Sequence, residues 1–442
     1  MRVSIDRGWV LRWAPAGLAL VFVLLQLIGM RQEAAYNDSY RYGMLTMKIL
    51  GASEQEAHDE SIQMICKRGA LGYEQARTLH PVQLFTNPPM LDSSYADCVR
   101  SVPTADDFPP NSPRYQAIFE NRYGYPLMSA PLAKVLGLER GMLLTAWLIA
   151  AGAGLMVFLL LRLFGATRGV ALIGQVLFYV LPVGYWSART LAEGSMVLTT
   201  LITIAGAWFL LQRNIKLGLA LVVGGQLLGF LVKFSQVTML SLTLVAAAVG
   251  IWLFDRQRRH LGTVVLAINS ILVLAVSLLV PKILGWPGFS ESLQDTFTEH
   301  FASPDVDVPW YRFVMFNKAY WTWFVQEQGN RPLLLVAIIV GAVALWRWQR
   351  SVALLVVAAG MTGIATEVAH PMWGEFDRLY TPVWVIAAIG LPLVWSLAER
   401  RRAATGTTPV PRVPAEDAPA PAEPNPEREA VTSGAPPGRT EL

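Results

Sequence analysis

Apolar positions in this chain neither alternate nor keep to one helical face. They fill whole blocks, each about as long as the roughly 20 residues that cross a bilayer. The blocks cover residues 13–30, 141–161, 170–186, 195–211, 217–232, 237–254, 261–281, 332–348, 352–369 and 379–397. A backbone in lipid must satisfy its own polar groups, so each block is predicted to be a helix. The weakest is 217–232, which is short and contains Gly224, Gly225 and Gln226. The first block follows Arg2, Arg7 and Arg12. It is too long for the apolar core of a cleaved signal peptide and reads as a retained signal anchor.

The polar positions between the blocks set the orientation. Lys and Arg accumulate in cytoplasmic connections. With the N-terminus inside, the inner connections carry Arg162 and Arg168, then Arg213 and Lys216. They continue with Arg256, Arg258 and Arg259, then Arg347 and Arg350, and end with Arg400, Arg401 and Arg402. The short outer loops hold Arg189, Lys233 and Arg378 singly. This alternation supports ten spans with both termini cytoplasmic. Two long outer segments remain, 31–140 and 282–331. Trp286, Trp310, Tyr311, Tyr320, Trp321 and Trp323 crowd the second, which suits helices lying in the membrane interface. Residues 1–402 form the membrane domain. The tail 403–442 is rich in Pro, Ala, Glu and Thr, with little to bury, and is expected to be disordered. The fold class is therefore an all-α polytopic membrane protein.

Composition agrees, with 53% of residues hydrophobic and 15% charged. Soluble domains lie near about 45–50% and about 25%. The net charge of +4 sits at block ends, where it serves orientation rather than nucleic-acid binding. Both cysteines, Cys66 and Cys98, fall in the first outer segment. An oxidising compartment permits a disulfide there. Two free thiols fit the sequence equally, and geometry decides.

Charges at a membrane boundary are the best pointers to chemistry in such a chain. Four places gather them on the outer side. Asp38, Arg41 and Tyr42 follow the first block, at the start of an amphipathic stretch that suits a short interfacial helix. Asp38 is a good N-cap there, and Arg41 shares its face. Tyr123-Gly124-Tyr125-Pro126-Leu127 breaks a helix before the second block. Arg189 and Glu193 are spaced for an i,i+4 pair. The segment His370-Pro371-Met372-Trp373-Gly374-Glu375-Phe376-Asp377-Arg378-Leu379-Tyr380-Thr381-Pro382 carries acids and an arginine at the mouth of the last block. Each has a plainer explanation as a helix cap, surface ion pair, loop or aromatic anchor. The five histidines are scattered, with no metal-ligand spacing. There is no P-loop, G-x-S-x-G or Gly-rich dinucleotide motif.

Taken in order, the four places resemble the GT-C superfamily of membrane glycosyltransferases. The pattern is most similar to the protein O-mannosyltransferase and lipid A aminoarabinose transferase families. Asp38-Ser39-Tyr40-Arg41-Tyr42 matches their Asp, two residues, Arg-Tyr pattern after the first span. Tyr125-Pro126-Leu127 resembles their re-entrant Pro-Leu motif. Arg189 with Glu193 matches a basic and acidic pair in the second outer loop. Arg378-Leu379-Tyr380-Thr381-Pro382 matches an Arg-Leu/Tyr-x-x-Pro pattern in the last. The resemblance covers about residues 13–397. It departs at Ser39, where a second acid is frequent, in the missing basic residue before Pro-Leu, and in the insertion that carries Cys66 and Cys98.

The resemblance implies a polyprenyl-phosphate sugar as donor and transfer to an extracytoplasmic glycan, lipid or protein acceptor. Asp38 would be the general base, with Glu193 orienting the acceptor or sharing a cation with Asp38. Arg41, Arg378 and Arg189 would hold the donor phosphate. Tyr42, Tyr125, Glu375 and Tyr380 would line the substrate. No organic cofactor is implied, and a divalent cation is compatible. Burial near lipid is expected to raise the Asp38 pKa. The segment 282–331 would close over the site. Separately from the resemblance, the absence of eukaryotic-type retention signals and the compact design lead to the expectation of a bacterial plasma membrane, and no nucleic-acid partner is expected. Two other classes remain open, a transporter or flippase of a lipid-linked or anionic substrate and a non-catalytic assembly partner.

Overall fold

The computed structural model describes residues 7–28, 36–80, 82–83, 90–372, 374 and 376–404. Among them there is no strand, and nearly everything is helix. The chain divides into two units, Met1–Ala398 and Glu399–Leu442. The expected disordered tail lies outside the described residues from 405 onward.

Helix α1 (Arg7–Ile28) precedes a loop-rich stretch with α2 (Asn37–Ile49), α3 (Glu54–Leu79), α4 (Leu91–Ser101) and α5 (Pro113–Ala117). Then come α6 (Gly124–Leu136), α7 (Leu138–Leu163), α8 (Arg168–Val180), α9 (Pro182–Ser187) and α10 (Glu193–Leu211). The long α11 (Ile215–Phe254) is followed by α12 (Leu261–Leu284), α13 (Phe289–Phe297) and α14 (Pro309–Asn330). The chain closes with α15 (Leu333–Trp348), α16 (Arg350–Ala369), α17 (Phe376–Leu379) and α18 (Trp384–Ala404).

Six of these helices are long and apolar enough to cross a membrane, and seven if the bent pair α14–α15 is one span. This set of helices is compatible with a multi-pass membrane protein. The difference from ten predicted blocks has physical causes. α8 is only 13 residues long, because Leu181 precedes Pro182 and proline disfavours helix in the residue before it. α15 reaches 16 residues and meets α14 at an angle of 88°. The blocks 217–232 and 237–254 fall in one helix, α11, of 40 residues. Straight, it would run about 60 Å, roughly twice a hydrocarbon core.

It is not straight. Lys233 has non-helical backbone angles, φ −162° and ψ 90°. Gln226 Nε2 donates to Ser241 Oγ at 3.4 Å, although 15 residues separate them. The two halves of α11 therefore fold back on one another at Lys233. Asn269 of α12 donates to Gln226 Oε1 at 2.6 Å and joins a third segment to the hairpin. Close helix approach relies on small residues. A Cβ added at Gly206 of α10 would lie 2.5 Å from the Val222 nitrogen.

The long connections gather at one end of the bundle, here the loop face. α3 and α4 are joined by a Cys66–Cys98 disulfide, so of the two states open to these cysteines the paired one is formed. Ser53 caps α3 in a capping box with Glu56. Tyr40 stacks on Phe108 at 3.8 Å, and its hydroxyl meets His58 Nδ1 at 2.8 Å. Bent away from α15, α14 exposes Trp310, Tyr311 and Val314 while burying Tyr320 and Phe324. That division suits a helix lying along an interface.

Candidate functional site

Three buried charges from distant parts of the chain meet on the loop face. Asp38 comes from the first turn of α2, Glu193 from the first turn of α10 and Arg378 from α17. Arg378 Nε donates to Glu193 Oε1 at 2.7 Å. Its Nη2 donates to Asp38 Oδ2. All three side chains are at most about a tenth exposed.

Asp38 does not cap α2. The helix starts at Asn37, after Tyr36, and Asp38 lies inside it, aimed at Arg378. The expected rise in its pKa is also overturned. Burial does push the carboxyl up. The guanidiniums of Arg378 and Arg122 and the ammonium of Lys233 outweigh it, and the group ends below the usual carboxylate range. Nor does Glu193 pair with Arg189. It takes Arg378 instead, while Arg189 stacks over Tyr185 at 3.9 Å. The cation that Asp38 and Glu193 share is thus a guanidinium.

The other expected residues separate into two groups. Tyr42 joins the site. It is fully buried, and its hydroxyl has no hydrogen-bond partner among the described residues. Burial, with the charges of Asp38 and Glu193 nearby, pushes that phenol up. Glu193 Oε2 is buried and unpartnered in the same sense. These atoms can receive a polar ligand group, since a buried polar atom left unpaired is costly.

The remaining residues make contacts away from the Asp38–Arg378–Glu193 cluster. Arg41 turns away, donating to the carbonyls of Pro110 and Phe108 between the rings of Tyr40, Phe108 and Tyr115. Tyr125 donates to the Met142 carbonyl at 2.9 Å and pins α6 to α7. Tyr380 packs on Phe324 at 5.3 Å, with its hydroxyl towards Tyr320 and Glu367. It braces α17 rather than facing Asp38. Glu375 and Trp373 lie outside the described residues. Ser39, one of the departures from the family pattern, bonds Thr190 Oγ1 at 2.9 Å and its carbonyl at 3.1 Å. This ties α2 to the segment leading into Glu193.

The structure adds residues that sequence reasoning did not select. Arg122 and Lys233 both act electrostatically on Asp38. Asn121 is buried with both side-chain polar atoms unpartnered among the described residues. His370 sits between Ser292 Oγ at 2.6 Å and Thr296 Oγ1 at 3.0 Å. Burial and the nearby cations hold its imidazole down to about 4. The available signal for Lys233 was a lone lysine between two apolar blocks. Arg122 carried none beyond standing next to the Tyr-Gly-Tyr-Pro break.

An aromatic floor supports the cluster. Tyr42, Tyr115, Phe119, Tyr125, Ala192 and Val232 pack together. Among the described residues no three His, Cys, Asp or Glu side chains converge as a metal site. Comparison with known proteins gives no assignment: no family model matches the chain, and neither a curated protein nor a solved structure matches it significantly.

Proposed function

We propose that this chain is a membrane glycosyltransferase of the GT-C kind. It would move a sugar from a polyprenyl-phosphate donor to a glycan, lipid or protein acceptor. One observation carries the proposal: a buried Asp38–Arg378–Glu193 cluster, drawn from three distant segments, at the loop face of a membrane-embedded bundle. Structural ion pairs rarely leave a buried carboxylate oxygen and a buried phenol without partners, as Glu193 and Tyr42 are here. The loop face is extracytoplasmic in this reading, in a plasma membrane whose inner side holds both termini.

The chemistry follows from the charges. Asp38 is ionised at neutral pH and can take a proton. Its lowered basicity is a handicap while Arg378 grips it. An acceptor hydroxyl that binds Asp38 and loosens that contact restores basicity as attack begins. The acceptor oxygen then bonds to the anomeric carbon, and the carbon–oxygen bond to the lipid phosphate breaks. The acceptor proton goes to Asp38 and later to water. The phosphate leaves as an anion, stabilised by nearby cations. Glu193 Oε2 and the Tyr42 hydroxyl would hold sugar or acceptor hydroxyls.

Transport of a lipid-linked anion is the second reading. The break at Lys233 and the Gln226–Asn269–Ser241 network within the bundle favour it, since transporters use interrupted helices and internal polar groups. One assay separates the two. The purified wild type and Asp38→Asn are incubated with radiolabelled polyprenyl-phosphate sugars and membrane acceptors. Transfer by wild type and its loss in Asp38→Asn is the expected result. Translocation in vesicles without transfer overturns the enzyme assignment.

A further inference from the structure

The Tyr123-Gly124-Tyr125-Pro126 break, which the sequence alone leaves as an ordinary loop, packs directly against the hairpin turn of α11. A Cβ added at Gly124 would lie 2.7 Å from the Val232 nitrogen and 2.9 Å from the Leu231 carbonyl carbon. Only a glycine admits this approach. It brings Arg122, two residues before Gly124, to the same place as Lys233, one residue after Val232.

The two cations have no carboxylate of their own. Among the described residues, neither Arg122 nor Lys233 lies within ion-pair distance of an acid, and Arg122 rests over the Phe119 ring at 4.6 Å. Arg378 takes up both site carboxylates. Among the described residues, Arg378, Arg122 and Lys233 all act on Asp38, and Arg122 and Lys233 are the two of them without an ion pair. The second half of the hairpin begins beside Lys233, so the positive end of its dipole adds to these two charges. Both side chains are half-buried rather than sealed, which leaves them open to a ligand. A half-buried pair of like charges beside lipid calls for an anion.

We propose that Arg122 and Lys233 form a subsite for the phosphate of a lipid-linked substrate. The identity of the ligand rests on the glycosyltransferase reading, while the anion chemistry rests on the packing itself. The subsite reassigns the phosphate-holding role. Arg41 is bound to backbone carbonyls and Arg378 to two acids, so neither presents a guanidinium without a partner. In the transfer step these two cations stabilise the leaving phosphate, while Arg378 stays with Glu193 as its grip on Asp38 loosens.

The test uses the wild-type full chain in detergent. Lys233 is acetylated with acetic anhydride, and the modified peptide is measured by mass spectrometry. Parallel samples contain decaprenyl phosphate, inorganic phosphate or phosphatidylglycerol. Decaprenyl phosphate is expected to slow Lys233 acetylation at least tenfold at concentrations where the other two leave it reactive. Equal protection by phosphatidylglycerol overturns the proposal, as does protection by inorganic phosphate alone or by none of the three. Direct binding of radiolabelled decaprenyl phosphate should weaken about tenfold or more in Lys233→Gln and in Arg122→Gln, and survive in Lys233→Arg. Sugar transfer by a wild type whose Lys233 is never protected sinks the subsite alone. Protection without transfer of any sugar keeps the subsite and sinks the transferase.

Discussion

Arg378 holds two buried carboxylates at once, and its removal leaves both without an ion-pair partner. Breaking one partner from a buried ion pair costs roughly 3–5 kcal/mol. Arg378→Gln is therefore expected to lower stability by about that much, read as a large fall in melting temperature in detergent. Adding Asp38→Asn and Glu193→Gln to that variant should recover much of the loss, because no orphaned charge remains. An unrecovered triple variant would mean that Arg378 acts through packing instead. His370 makes a second prediction, on pH. Its imidazole is held down to about 4 in the fold, against about 6.5 in an unfolded chain. On acidification the unfolded state binds the proton first. The contribution of neutral His370 is thus complete above about pH 6.5 and is lost as pH falls towards the folded value. The melting temperature should decline across that window in wild type and stay flatter in His370→Gln. Asp38 acts lower on the scale. Its folded pKa is depressed, so its contribution persists above about 3.9 and disappears only in stronger acid.

At the scale of elements, the meeting of α6 with the α11 hairpin depends on one missing side chain. Gly124→Val forces a branched side chain into the backbone at Leu231 and Val232. Overpacking of this kind costs about 1–3 kcal/mol. It should also move Lys233 and weaken donor binding, whereas Gly152→Ala on α7, with nothing within 4 Å, should melt and bind as wild type. The α3–α4 disulfide is a separate brace. The double variant Cys66→Ser, Cys98→Ser should lose about 2–4 kcal/mol, and maleimide should label wild type only after reduction. Much of this layer was legible in the chain. Uninterrupted apolar blocks located the helices, and a lone lysine between two blocks marked the α11 turn. Asp38, Glu193 and Arg378 stood out because charges beside apolar blocks are rare. Their pairing was not legible. Glu193 has Arg189 four residues away, yet binds Arg378, 185 positions distant. Local spacing says which side chains can meet within a helix and nothing about what tertiary packing brings near. The partners of Arg41 and Tyr125 were not legible for the same reason, since the backbone carbonyls they bind carry no sequence signature.

Across the whole molecule, the two long connecting segments are joined to each other on the loop face. Arg114 donates to Glu291 and to Asp305, at 2.8 Å and 2.7 Å, and lies over the Phe301 ring at 4.3 Å. Next to it, Tyr115 packs on His300, whose Nδ1 meets Asp295 at 3.0 Å. His370 anchors the other flank through Ser292 and Thr296. The two anchors differ in kind. The His370 contacts are shielded, whereas the Arg114 pairs are about half exposed and are weakened by salt. Exposed pairs add little to global stability, so Arg114→Ala should melt close to wild type. Its effect should be local. Amide exchange in residues 289–308 should quicken several-fold, and high salt should have the same effect on wild type but none on the variant. Unchanged exchange in that segment would show that His370 and Tyr115 hold it alone. If the site transfers sugar, a loosened cover also admits water as a competing acceptor. Arg114→Ala should then hydrolyse more donor per transfer, with Asp38, Arg378 and Glu193 untouched. A salt-sensitive partition between transfer and hydrolysis is the expected signature of an active site covered by a latch in the exposed loops rather than by the bundle.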